Sequence, residues 1–212
     1  MSCCYPQTAD QQFCEKAARQ DLARYRKKGP DPTTGQLLEA IRETALDRPS
    51  VLDVGAGIGV IQLELLPEEA VGVVHVEAAR GYHEAAREEA ERQGKSQPVR
   101  FVRGDFVELE TELPESDVVT LDRVVCCYPD LEPLVLGSAR KATHLWAASY
   151  PRDYWLPRFG VVLENLFRKI TGSDFRTFVH PTEVIERLLE AQGFALSYKH
   201  TGFLWEATAW RR

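Results

Sequence analysis

Four carboxylates and a run of alternating glycines carry the chemistry that can be read from this chain. The stretch Val51-Leu52-Asp53-Val54-Gly55-Ala56-Gly57-Ile58-Gly59 is an apolar segment that ends in glycines at every second position. Glycine is wanted where the backbone turns through positive φ or comes into contact with a ligand. A dinucleotide-binding turn calls for G-x-G-x-x-G, with a pyrophosphate on the N-terminus of the next helix. Here the spacing is G-x-G-x-G, and Asp53 stands two residues before the first glycine. A carboxylate there repels a pyrophosphate but suits a ligand that carries an ammonium group. A nucleotide-binding oxidoreductase on a similar sheet is the competing reading, and a non-catalytic module that kept the crevice is the third.

Glu77, Asp105 and Asp122 each close a later apolar run. At such a strand end, Glu77 can accept hydrogen bonds from both hydroxyls of a ribose. Asp105 can accept from an adenine amino group, with Phe106 packing near the ring. Taken singly, Glu77 reads equally well as a solvated acid and Asp105 as a turn former. Four acids at four successive strand ends point to one shared crevice.

The elements that must hold these residues alternate. Short apolar strands are predicted at 50–54, 71–77, 99–104, 117–121 and 144–149, with helices at 58–66, 80–93 and 131–140 between them. Strands of this kind separated by helices imply a parallel sheet covered on both faces. In such sheets the ligand crevice lies at the carboxyl ends of the strands. Ahead of the first strand, 8–28 reads as one helix, with Phe13, Ala17, Ala18, Leu22 and Tyr25 near one face. Gly29-Pro30-Asp31-Pro32 stops it, and Thr33 or Thr34 caps a second helix carrying Leu37, Leu38, Ile41 and Ala45. Arg19, Arg24 and Arg26 read as a solvated face. Beyond the fifth strand, 157–170 is predicted helical, and Pro181 starts a helix that ends at Gly193. The runs 194–200 and 203–210 then form a hairpin that gives the sheet an antiparallel C-terminal end. The expected fold is an α/β, Rossmann-like, seven-stranded sheet with helices on both faces. One domain spans 1–212, residues 1–34 being a helical arm or lid and 35–212 the core.

Composition narrows the class. With 26 Lys and Arg against 32 Asp and Glu, the chain has a formal net charge of −6, which argues against a nucleic-acid footprint. No run of about 18 apolar residues suggests a membrane span, and Met1 to Asp10 lacks the pattern of a signal peptide. Five cysteines, two pairs of them adjacent, do not read as a secreted disulfide framework. A cytoplasmic monomer or homodimer is expected.

The four acids and the glycine run together resemble the class I S-adenosylmethionine-dependent methyltransferases over roughly residues 35–210. That resemblance implies S-adenosylmethionine (SAM) as cofactor and a small-molecule methyl acceptor. It places Gly55, Ala56, Gly57 and Gly59 along the methionine part and Asp53 beneath the loop. It sets Glu77 at the ribose and Asp105 and Phe106 at the adenine, with Ala78, Asp122 and Arg123 also among the cofactor-binding residues. From the fourth strand onward the chain resembles the magnesium-protoporphyrin O-methyltransferases. It shares a Tyr after that strand (Tyr128), a long helical insert after the fifth, and a closing Thr201-Gly202-Phe203. That family has a His before the Tyr, in a role assigned to catalysis, and this chain has Cys127. Tyr25 stands for the family's lid tyrosine.

Candidate catalytic residues are Tyr128, Cys127 and His180, with His180 also readable as a capping or packing residue. Tyr150, Arg152, Tyr154 and Trp155 are expected either to wall an aromatic acceptor pocket or to cover the core edge. Cys-Cys-Tyr-Pro occurs twice, at 3–6 and 126–129. The plain reading is small apolar packing. The sharper one brings Cys3, Cys4, Cys126 and Cys127 together on a soft metal or a thiophilic acceptor. No resident metal is expected.

Overall fold

The computed structural model describes residues 5–212. Seven strands form one sheet: β1 (Ser50–Val54), β2 (Gly72–Glu77), β3 (Val99–Arg103), β4 (Ser116–Asp122), β5 (Ala142–Pro151), β6 (Ala195–Thr201) and β7 (Trp205–Arg211). Their spatial order is β3-β2-β1-β4-β5-β7-β6. The first five run parallel, while β7 lies antiparallel to both β5 and β6. The order turns back at β1 and β4, so their carboxyl ends border the crevice that such a reversal leaves.

The strands alternate between two apolar layers, as a doubly covered sheet requires. Leu52, Val54, Leu121, Trp146 and Ala148 pack on one side, under α7 (Leu131–Lys141) and α9 (Thr182–Ala191). Val51, Val118, Leu145 and Ala147 pack on the other, against α3 (Pro32–Arg42) and α4 (Val60–Leu65). Trp146 is fully buried, and its indole N–H is satisfied by Ser138 Oγ at 2.8 Å. The fifth helix, α5 (Arg80–Arg92), follows β2, and the one-turn α6 (Phe106–Leu109) follows β3 with Asp105 as its N-cap.

Several expectations change. The single helix over 8–28 is two, α1 (Tyr5–Gln12) and α2 (Glu15–Lys28), with the corner between them resting on Gly81. A Cβ on Gly81 would come within 2.5 Å of the Glu15 nitrogen, so only glycine allows that approach. The cap of α3 is Asp31 with Pro32 in the first turn, and Thr33 and Thr34 lie inside the helix. Proline is pre-set for the first helical position, so the helix starts ahead of the threonines. This helix stops at Arg42, so Ala45 sits beyond it in a left-handed turn at φ 54°. At the other end of the chain the hairpin is present, but its second strand inserts beside β5 and leaves β6 as the edge.

Candidate functional site

The β1–α4 turn is built around Gly55, Gly57 and Gly59, at φ 62°, 57° and 79°. At Gly55 a Cβ would also meet Val124 Cγ2 at 2.5 Å, so both backbone conformation and space close this position to side chains. Glu77 holds the turn in place. It accepts the Gly57 N–H and the Ala79 N–H, each at 2.8 Å, one per carboxylate oxygen. Each oxygen keeps a lone pair for a ligand hydroxyl. Burial raises the pKa of Glu77 above the usual carboxylate range, opposed by those backbone donors.

Three compartments meet at Gly55. One, of about 120 Å³, is bordered by Asp53, Asp122, Arg123, Tyr25 and Tyr82. Another, of about 230 Å³, lies between Glu77, Phe13, Asp21, Arg123 and Cys127. The third is a narrow slot of about 30 Å³ between Glu77, Ala78, Asp105, Phe106 and Tyr128. Asp53 is buried, accepts the Thr120 hydroxyl at 2.7 Å, and is pushed up to about 7 by its burial. A group so poised ionises readily when a cation arrives beside it.

Asp122 and Arg123 join the crevice to the arm. Asp122 accepts hydroxyls from Thr34 and Ser149. Arg123, at φ 60°, donates to Thr33 Oγ1 at 2.9 and 3.0 Å and to Asp31 at 2.9 Å. Its left-handed backbone is held by an N–H bond to Ser149 Oγ at 3.0 Å. Across the opening, the Tyr82 hydroxyl donates to Asp21 and the Tyr25 hydroxyl to Glu64. The arm thus closes over the glycine turn. Its arginines are all exposed, as a solvated face requires, and each is paired: Arg19 with Glu15, Arg24 with Asp31 and Arg26 with the buried Glu89.

The candidate catalytic residues lie apart. Tyr128 is buried in the slot, and its hydroxyl donates to Asp105 at 3.0 Å. His180 sits outside the compartments with its Nε2 at 2.9 Å from the Tyr128 carbonyl, which assigns the proton to that nitrogen. Burial lowers its basicity. Cys127 borders the largest of the three compartments, with its sulfur 3.7 Å from that of Cys126. The hydrogen bond to Cys126, with burial, pushes the Cys127 thiol well above its usual range. Both cysteines are free, Cys3 and Cys4 lie outside the described residues, and no cluster of three metal-ligating side chains occurs among the described ones.

Of the two readings for Tyr150, Arg152, Tyr154 and Trp155, the pocket wall is not met, because none of them lines the three compartments. Tyr150 is core, with its hydroxyl 3.3 Å from Thr208 Oγ1, and Arg152 and Tyr154 bond to the 202–203 turn. Trp155 points to solvent, 73% exposed. Sequence reasoning missed Asp21, Tyr82 and Phe13 as crevice residues. Tyr82 and Phe13 read as core-facing positions of their helices, and nothing local marks a helix that folds back over a site.

Residues 51–143 match the family model described as a methyltransferase domain. No curated protein matches the chain. Among solved structures, the magnesium protoporphyrin IX methyltransferase of Synechocystis PCC 6803 with bound SAH (S-adenosylhomocysteine) aligns at TM-score 0.67 and 16% identity, over 91% of this chain and 94% of that one. A TehB-like SAM-dependent methyltransferase from Corynebacterium glutamicum aligns at 0.64 and 14%, over 92% and 96%. The YcgJ protein of Bacillus subtilis aligns at 0.62 and 20%, over 78% and 72%. At these identities the likeness is one of fold.

Proposed function

We propose that this chain, which carries a methyltransferase domain at 51–143 on the class I methyltransferase fold, binds SAM and transfers its methyl group in line to a small-molecule acceptor. The observation that carries this reading is the meeting of three compartments at Gly55, with the Glu77 carboxylate standing between the slot and the largest of them. A sugar that links a base to an amino acid needs its acceptor at such a junction. Asp53 suits the amino end of the ligand, Glu77 the ribose hydroxyls, and Asp105 with Phe106 the adenine. Ala56, Gly57 and Gly59 supply close backbone, and Ala78 lines the adenine slot. Asp122 and Arg123 fix the rim. Solved neighbours with SAM or SAH bound support the same ligand here.

SAM, when bound, supplies both the methyl group and the leaving group. The protein's share is then alignment of the acceptor and exclusion of water. The arm does the second, through Phe13 and Asp21 across the largest of the three compartments. Cys127 faces that space as a neutral thiol and serves as wall. Tyr128 and His180 act as positioning residues, the first on Asp105 and the second on the loop that carries Tyr128. The acidic balance and covered crevice favour a small acceptor over a nucleic acid. The described helices include none long and apolar enough to cross a membrane.

Thermal unfolding separates this reading from the oxidoreductase one. At a hundredfold excess over its dissociation constant a single-site ligand adds about 2.7 kcal/mol. That amounts to a rise of roughly 5–10 °C for a chain of this size. SAH is expected to give it and NADH none. The reverse pattern would refute the proposal.

A further inference from the structure

The helix after β5, α8 (Trp155–Ile170), is turned inside out. Its polar side faces the protein. Asn165 donates to the Thr177 carbonyl at 2.7 Å and accepts the Thr177 N–H at 2.9 Å. Arg168 bonds to Thr177 and Glu164 and lies 5.1 Å over the Phe175 ring. Within the helix, Pro157 alone is buried. The outer face carries Trp155, Phe159, Val162, Leu163, Leu166, Phe167 and Ile170, each at least 50% exposed. Their three- and four-residue spacing makes one continuous stripe. Phe203 and Leu204, 73% and 43% exposed, adjoin its N-terminal end, where the Tyr154 hydroxyl donates to the Phe203 carbonyl at 2.8 Å.

We propose that this face pairs with its own copy: two α8 helices cross antiparallel about a two-fold axis between Val162 and Leu163. The stripe is self-complementary about that point. Trp155 then meets Ile170 of the second copy, Phe159 meets Leu166, and Val162 meets Leu163. Phe167 falls opposite the aliphatic stem of Arg158 at the rim. An isologous interface demands this kind of reciprocal match. The same spacing is that of helices packing at shallow angles.

Area and charge both favour a second copy over lipid. Large aromatic side chains present roughly 150–250 Å² each. The nine large apolar residues at these exposures amount to on the order of 1,000 Å², against about 800 Å² per partner in a standard interface. The largest apolar patch of a typical monomer is about 300–600 Å². The rim is already neutralised, because Arg158 pairs with Asp153 and Arg168 with Glu164. A helix lying on an anionic bilayer wants free Lys and Arg on its polar face. Here that face is spent on the protein, and Lys169 alone flanks the stripe without an ion pair among the described residues.

Sedimentation velocity from about 0.1 to 100 µM, which brackets a micromolar dissociation constant, tests this on the whole chain. The parent is expected to dimerise. F159E/L166E, which sets like charges against each other, should raise the dissociation constant at least a hundredfold. F159E/L166K should restore the dimer, because only the antiparallel register sets the carboxylate introduced at 159 against the ammonium introduced at 166 of the other copy. Circular dichroism should show all three folded, since both positions are exposed. The proposal is overturned by a parent that stays monomeric throughout, by F159E/L166K behaving as F159E/L166E does, or by a monomeric parent that co-sediments with neutral phosphatidylcholine vesicles.

Discussion

Two of the helices outside the sheet's own layers are docked by opposite rules. The arm helix α2 is dominated by charge and buries only Ala18 and Leu22, yet it is fastened across the site by Tyr25 on Glu64, Arg26 on Glu89 and Asp21 on Tyr82. The insert helix α8 is rich in large apolar residues and buries almost none of them. What decides the inward face is what the neighbouring surface offers. Beside α2 stand the buried Glu89 carboxylate and a tyrosine hydroxyl, which need partners. Beneath α8 lie the open backbone of Thr177, answered by the Asn165 amide, and the Thr177 hydroxyl, answered by the Arg168 guanidinium. The polar side is thereby used up within the chain, and the apolar side is left for contact between chains.

The largest break in this comparison comes from Gly81→Ala. The added methyl falls on the backbone of Glu15, so the arm must lift, at the usual cost of about 1–3 kcal/mol for overpacking. SAH affinity should drop at least tenfold and trypsin should cut within 15–28, while the sheet stays folded by circular dichroism. A smaller effect separates the two helices by stability. Arg26→Ala removes one partner of Glu89, whose side chain is fully buried, and should lower urea stability by about 1 kcal/mol. The loss is limited because Arg92 and Gln93 still bond to that carboxylate. Phe167→Ser on the outer face of α8 should change the stability of dilute, monomeric protein by less than about 0.5 kcal/mol. Equal losses in the two variants would erase the distinction.

The sheet and most of the crevice are legible in the sequence for a common reason. A strand buried on both faces is a continuous apolar run, and a turn that needs positive φ three times in five residues leaves glycines at Gly55, Gly57 and Gly59. Glu77 and Asp105 stand where strands stop, so position alone marks them. The roles that could not be read depend on distance across the fold. Tyr128 follows the fourth strand as expected, but the bond from its hydroxyl to Asp105, 23 residues earlier, has no local signal. The contribution of the arm hangs on Gly81, a helix glycine with no local signature. Periodicity finds the stripe of α8 and stays silent on whether it faces in or out.

Calorimetry with SAH at pH 6 and pH 8 tests most directly the claim that this crevice grips a sulfur-bearing amino acid and its nucleoside. Asp53 is held near 7, above its unfolded value of 3.8, so it is mostly protonated at pH 6 and must lose that proton to meet the ligand's ammonium. The account predicts one site per chain, with affinity rising about tenfold from pH 6 to pH 8 and then levelling off. It also predicts at least a tenfold loss with Glu77→Ala. Folded protein that gives no binding heat at either pH would contradict it.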